Sequence, residues 1–233
     1  DERAVVDPAA GKLLISSISD ASGTDGAQRN GDVDVVSYDF ASGHIDRSVL
    51  HKGLGDDDHN VPALLVRPDG RYLAMYTKHG GDKLSRYRIS TKPHDATSWE
   101  PEQVFDWNST PGSDFKATYS NLFYLPSEKR TYNFARANNR GPNILVSKDD
   151  GTSWSYAGKL VFNPKFTGYV NGYFKYASNG FDRIDFVGTE HHPRDFNNNI
   201  NLHFNINDVN DVNDDNDTGS CVEDAPRKRA PLQ

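Results

Sequence analysis

Short runs rich in valine, isoleucine, leucine, tyrosine and phenylalanine alternate along this chain with glycine, proline, asparagine and aspartate. Runs of that length and composition between turn signals predict β-strands, and no helical period is sustained anywhere. The clearest unit is a hairpin in which the runs Val61 to Val66 and Tyr72 to Thr77 flank Arg67, Pro68, Asp69 and Gly70. Proline presets one turn dihedral and glycine accepts a positive φ, so the chain is expected to reverse there. With the turn centred near Asp69, His59 and His79 fall side by side at the open end of the hairpin. Two titratable rings would then be held close together on a rigid ribbon.

The pattern repeats. A strand ending in Val/Ile-Ser, a polar turn and a strand ending in a large apolar pair recur around Ser37, Ser90 and Ser147, at offsets of 53 and 57 residues. Between them a second hairpin recurs as Val61 to Thr77, Asn121 to Ala135 and Tyr173 to Val187. Two hairpins per repeat make four strands, the plan of a β-propeller blade. The expected fold is therefore all-β, with part of one blade in residues 1–50, blades in 51–107 and 108–162, and half a blade in 163–192. Residues 1–200 are read as a partial propeller, about 3.5 blades, and 201–233 as a low-complexity polar tail. The run Asn207 to Asp217 cannot bury enough apolar surface to offset its own ordering. Its Asp214, Asn216 and Gly219 resemble a calcium loop but lack the closing glutamate.

One turn is more specific. Ser147, Asp149, Gly151 and Trp154 fit Ser-x-Asp-x-Gly-x-x-Trp, in which the carboxylate accepts backbone N–H bonds, glycine takes a dihedral other residues avoid and tryptophan packs between sheets. Asp149 is read as a turn-maker, not an acid catalyst.

Composition narrows the function classes. A formal net charge of −7 argues against nucleic acid as the main partner. The lone Cys221 allows neither an internal disulfide nor a thiolate metal cluster, and no apolar run is long enough to span a membrane. The chain opens at Asp1, so an export signal cannot be read from it.

The segment Asp57 to Gly70, with Arg3 to Val6, Gly31 to Val35 and His192 to Asn197, resembles the BNR-repeat (Asp-box) propellers, and among them the ulvan lyases, which cut a sulfated algal polysaccharide. The likeness covers about residues 1–200. It implies a seven-bladed parent of which this chain is roughly the N-terminal half, an anionic polysaccharide as partner, and a secreted or periplasmic location. It implies four catalytic residues, His59, His79, Tyr124 and Arg140, with Asn60, Lys78 and Asn121 as neighbours able to bind sulfate or hydroxyl groups. His59 and Tyr124 would be the base and acid, in either assignment, Arg140 would neutralise the uronate carboxylate, and His79 would orient or support charge. No metal ligand set is assigned, although structural calcium or zinc occurs among the possibilities the resemblance allows, and two histidines are half a zinc site. His191 and His192 echo the repeat and are given no chemistry. Two other readings stay open: a sialidase-like glycosidase, needing an arginine triad and a Tyr–Glu pair, and a non-catalytic carbohydrate-binding propeller or inactive fragment.

Overall fold

A computed structural model describes residues 3–112, 116–160, 173–189 and 202–204. The chain forms four antiparallel sheets in sequence order. The first is β1 (Ala4–Asp7), β2 (Lys12–Ile18), β3 (Val33–Asp39) and β4 (Ile45–His51), with the one-turn helix α1 (Gly26–Arg29) between β2 and β3. The second holds β5 (Ala63–Val66), β6 (Tyr72–Thr77) and β7 (Leu84–Lys92), whose far edge is shared by β8 (Asp95–Trp99) and β9 (Gln103–Asp106). The third is β10 (Leu122–Leu125), β11 (Arg130–Arg136), β12 (Pro142–Ser147) and β13 (Ser155–Lys159). The fourth is β14 (Phe174–Ser178), β15 (Ile184–Thr189) and β16 (Leu202–Phe204). This is a partial β-propeller.

Two boundaries differ from those read in the sequence. The first sheet is whole, because Ala4–Asp7 pairs with β2 over four residues. The fourth gains β16, which pairs with Val187–Thr189 beyond the boundary set at residue 200. The calcium-like run around Asp214, the rest of the expected tail, and His191 and His192 lie outside the described residues.

Sheets stack face to face through side chains on both sides of β6 and β11. Tyr72, Ala74 and Tyr76 of β6 pack into a core with Leu14, Val33 and Val35 of the first sheet. Leu73 and Met75, pointing the other way, join Leu122 of the third. Alternation of side chains across a pleat makes one strand serve two cores, and each large apolar side chain buried there contributes about 1.5–3 kcal/mol. Tyr132 and Phe134 of β11 repeat the arrangement against Ile184, Tyr176 and Phe186 of the fourth sheet.

The Ser147-to-Trp154 turn acts as its residue types predict. Ser153 N–H and its hydroxyl donate to the two Asp149 oxygens at 2.9 and 2.6 Å. Gly151 has φ +89°, and a Cβ there would lie 2.6 Å from Leu73 Cδ2. Asp149 is thus consumed in the turn, and Trp154 meets the Tyr87 ring at 6.3 Å.

Asp7, fully buried, ties the first sheet to the second. It accepts from the Tyr72 hydroxyl at 2.8 Å and is paired with His94 Nδ1 at 2.6 Å. Burial alone would raise this carboxyl, but hydrogen bonds from His94, Tyr72 and the Ala10 N–H outweigh it and hold it below the ordinary 3.8. A depressed native pKa adds stability that is present above the unfolded value and is lost as pH falls through the native one. Asp7→Ala is expected to lower stability by about 3 kcal/mol at neutral pH and to leave a shallower loss of stability on acidification than the parent shows. Urea midpoints of both proteins at neutral and acid pH measure this; equal midpoints would remove the latch.

Candidate functional site

The inner hairpins of three sheets open at the same end, and the site is built from the residues at their mouths. In the second sheet Ala63 pairs with Met75 and Val66 with Tyr72. Four residues past Ala63 and four past Met75 the same register sets His59 opposite His79, as the sequence predicts. Their rings lie 4.3 Å apart. A 3₁₀ turn, Asp58–Asn60, carries His59, and Asp57 caps it by accepting the His59 N–H at 2.9 Å.

Asp57 is the residue the sequence reading missed. Its carboxylate takes both imidazoles, His59 Nδ1 at 2.5 Å and His79 Nδ1 at 2.7 Å. Burial pushes this carboxyl up, yet the bonds from the His79 ring and from the His59 backbone and ring more than reverse that, holding it far below the carboxylate range. An ionised carboxylate draws the N–H of each ring to Nδ1, so the tautomer it favours carries its lone pair on Nε2. The side chains of His59 and His79 are 35% and 28% exposed, so these basic nitrogens remain reachable.

In the third sheet the matching mouth holds different chemistry. Leu122 pairs with Asn133 and Leu125 with Arg130; carried outward this register reaches Tyr119 opposite Arg136, but one extra residue on the Tyr119 side shifts the pairing, and the bridge that closes the ribbon joins Thr118 to Arg136. Tyr119 lies 5.3 Å from the His59 ring. Its φ of +61° is a left-handed backbone that a bulky residue seldom adopts, at a cost of about 1–3 kcal/mol. The Arg136 guanidinium stacks on Tyr119 at 4.9 Å and on Tyr173, from the mouth of the fourth sheet's hairpin, at 5.3 Å. Arg136 is 8% exposed, and its Nε and Nη1 have no hydrogen-bond partner among the described residues. A buried cation with idle donors is costly unless an anion completes it. Burial pushes the Tyr119 phenol up to about 12, with Arg136 pulling the other way and Tyr173 and Asp58 adding to the rise. At neutral pH it is a proton donor. A cleft of about 270 Å³ opens beside these groups, walled by Tyr119, Asn121, Arg136, Tyr173, Lys175 and Thr189.

The residues expected from sequence divide accordingly. His59 and His79 come together. Tyr124 does not join them: it pairs with Thr131 next to the hairpin turn, five residues from Tyr119, where burial and Asp150 raise its phenol. Asp150 also acts on Arg67, in the β5–β6 turn at the opposite end from the histidines. Arg140 closes the 3₁₀ turn Asn138–Arg140 after β11 with φ +55°; the guanidinium on Tyr119 belongs to Arg136, four residues earlier. Asn60 is 1% exposed, with Oδ1 accepting the His79 N–H at 2.7 Å and Nδ2 donating to the Gly55 carbonyl. Its amide fastens the hairpin mouth and is not available to a ligand. Asn121 does wall the cleft, its Nδ2 donating to the Phe134 carbonyl at 3.0 Å, and Lys78 is exposed in the turn closed by the Gly81 N–H.

For a metal, the described residues offer one group of three donors, Asp57, His59 and His79, whose ligand atoms lie within 4.8 Å of one another. Two imidazoles and one carboxylate suit zinc, whereas calcium prefers six or more oxygens.

Residues 27–231 match the pattern of a BNR repeat-containing family member. A solved ulvan lyase, described as a new family of polysaccharide lyase, superposes with a TM-score of 0.56 at 17% identity, over 82% of this chain and 45% of that one. The same description bound to -[GlcA(1-4)Rha3S]- gives a TM-score of 0.55 at 17% identity, over 81% and 44%. The chain thus spans less than half the length of these structures. No curated protein sequence matches it. Among the described residues no helix is long and apolar enough to cross a membrane.

Proposed function

This chain belongs to the BNR repeat-containing family, and we propose that within it the protein is a polysaccharide lyase that cleaves a sulfated, uronate-containing polymer of ulvan type by β-elimination. The observation that supports this reading is the meeting, at three hairpin mouths, of two imidazoles, a protonated phenol and a buried guanidinium whose Nε and Nη1 have no partner among the described residues.

Each group answers one demand of the reaction. The C5 hydrogen of a uronate is weakly acidic until its carboxylate charge is met, and Arg136, fixed between two rings, supplies a permanent charge and a planar fork. His59, with Nε2 unprotonated, takes the C5 proton. The electron pair forms the C4–C5 double bond, the bond from C4 to the glycosidic oxygen breaks, and Tyr119 donates its proton to that oxygen. No water is consumed. His79 shares Asp57 with His59 and fixes the ring pair. A polymer of this kind is met outside the cell, which favours a secreted protein.

The hydrolase reading needs a nucleophilic tyrosine with a glutamate partner. Such a pair exists, Tyr76 hydroxyl to Glu102 at 2.6 Å, but Tyr76 is 1% exposed within the core between the first two sheets, and burial followed by Glu102 drives its phenol strongly up. It is a packing residue. Incubation with ulvan separates the classes: a lyase releases products with the ultraviolet absorbance of an unsaturated uronate, a hydrolase releases reducing ends without it, and a binding module releases neither. His59→Ala is expected to lower the rate of absorbance increase by about 10²–10⁴-fold. Undiminished activity in that variant would remove His59 from the chemistry.

A further inference from the structure

We propose that Asp57, His59 and His79 also form a binding site for a divalent transition metal of the zinc class, and that the metal and the base-competent form of the imidazoles exclude one another. The second half rests on the lyase reading; the first does not.

The donors are already assembled. Both Nδ1 atoms face the same carboxylate at 2.5 and 2.7 Å, and all three ligand atoms fall within 4.8 Å of one another. Around a tetrahedral zinc with bonds near 2.0–2.1 Å, neighbouring ligand atoms stand about 3.3 Å apart. The two carboxylate–imidazole contacts would each lengthen by under about 1 Å and the separation of the two imidazole nitrogens would close by at most about 1.5 Å, within reach of side-chain rotations. The backbone holds the ligands in place from both sides: Asp57 caps the turn that carries His59, and Asn60 accepts the His79 N–H. Two nitrogens and one oxygen select zinc-like ions over calcium or magnesium, which prefer oxygen alone. Three protein ligands leave one coordination position open.

The exclusion follows from where the protons sit. Without metal, the contacts to Asp57 favour the tautomer with the proton on each Nδ1 and the lone pair on Nε2. A metal among the same three side chains needs the Nδ1 lone pairs, so each neutral imidazole must carry its proton on Nε2 instead. The proton count is unchanged, but the base is gone. The same three residues would therefore hold either a working proton acceptor or a metal ion, never both, and zinc would act as an inhibitor of elimination and not as its cofactor.

Calorimetric titration of the metal-stripped protein with zinc chloride, alongside Asp57→Asn and His79→Gln, tests the site. One zinc per chain is expected, weakened by about 10–100-fold or more in each variant; cobalt in place of zinc is expected to give the visible absorption of a tetrahedral centre, lost in both variants. Folding of the variants is checked by circular dichroism, and if one fails to fold the cobalt spectrum of the other decides. No binding, or binding unchanged in the folded variants, would overturn the site. The exclusion is read separately from imidazole ¹⁵N shifts. Protonated Nδ1 without metal and protonated Nε2 with one equivalent of zinc are expected, and unchanged tautomers in the zinc-bound protein would overturn it. Neither readout depends on lyase activity, so failure of the metal site and failure of the lyase reading are distinguishable. Where elimination is observed, it should stop with one equivalent of zinc and return with a chelator.

Discussion

Tyr119→Phe is expected to lower kcat for unsaturated-product formation by about 10²–10⁴-fold, with KM nearly unchanged and the fold intact. The ring remains to stack under Arg136 and against His59, so packing is conserved, and only the proton for the departing glycosidic oxygen is lost. Tyr124→Phe, by contrast, should leave kcat within about twofold, because that phenol stands beside Asp150 at the turn end of its hairpin. The pair of variants makes the assignment sharp. A large loss in the Tyr124 variant with little in the Tyr119 variant would reverse it.

The second large effect concerns the cation. Arg136→Met keeps most of the apolar stem between Tyr119 and Tyr173 but removes the charge that meets the forming enolate, and kcat/KM should fall by about 10²–10³-fold. Arg136→Lys should recover only part of this, since an ammonium neither forks onto a carboxylate nor stacks between two rings. If the effect is electrostatic, the loss should fall in kcat as well as KM, because the charge to be stabilised grows toward the transition state. Full activity in the methionine variant would assign the carboxylate to another residue. A loss confined to KM would make Arg136 a binding group only.

Why the histidine pair was legible in the sequence and its partners were not comes down to what fixes register. Pro68 and Gly70 mark the turn of the second sheet's hairpin without ambiguity, so counting outward from it finds His59 and His79. The third sheet's hairpin turns at Pro126 to Lys129, with Lys129 itself at φ +53°. Counting outward from that turn finds Tyr119 and Arg136, whereas counting along the chain by family order and spacing led to Tyr124 and Arg140. Strand register is conserved by the turn and not by distance along the sequence. Asp57 gave less to read. It stands in a run of three aspartates, Asp56 to Asp58, and only the 3₁₀ turn after it decides that Asp57 bridges both rings while Asp58 reaches His59 alone, at 2.9 Å. Asn60 misled for a related reason, since its amide is spent on His79 and Gly55 in the interior of the hairpin mouth. The fold itself was clearer, because β6 and β11 carry their cores on both faces and announce stacked sheets. What strand patterning left out was the first strand, Ala4–Asp7, too short to signal alone and held by Asp7 to the neighbouring sheet.

The structure of the Tyr119→Phe protein bound to an oligosaccharide of alternating uronate and sulfated rhamnose bears most directly on the convergence of the three hairpin mouths. The uronate carboxylate is expected on the Arg136 guanidinium, with C5 about 3–3.5 Å from His59 Nε2 and the glycosidic oxygen turned toward position 119. A sugar bound with its carboxylate elsewhere, or with C5 facing away from both imidazoles, would contradict it.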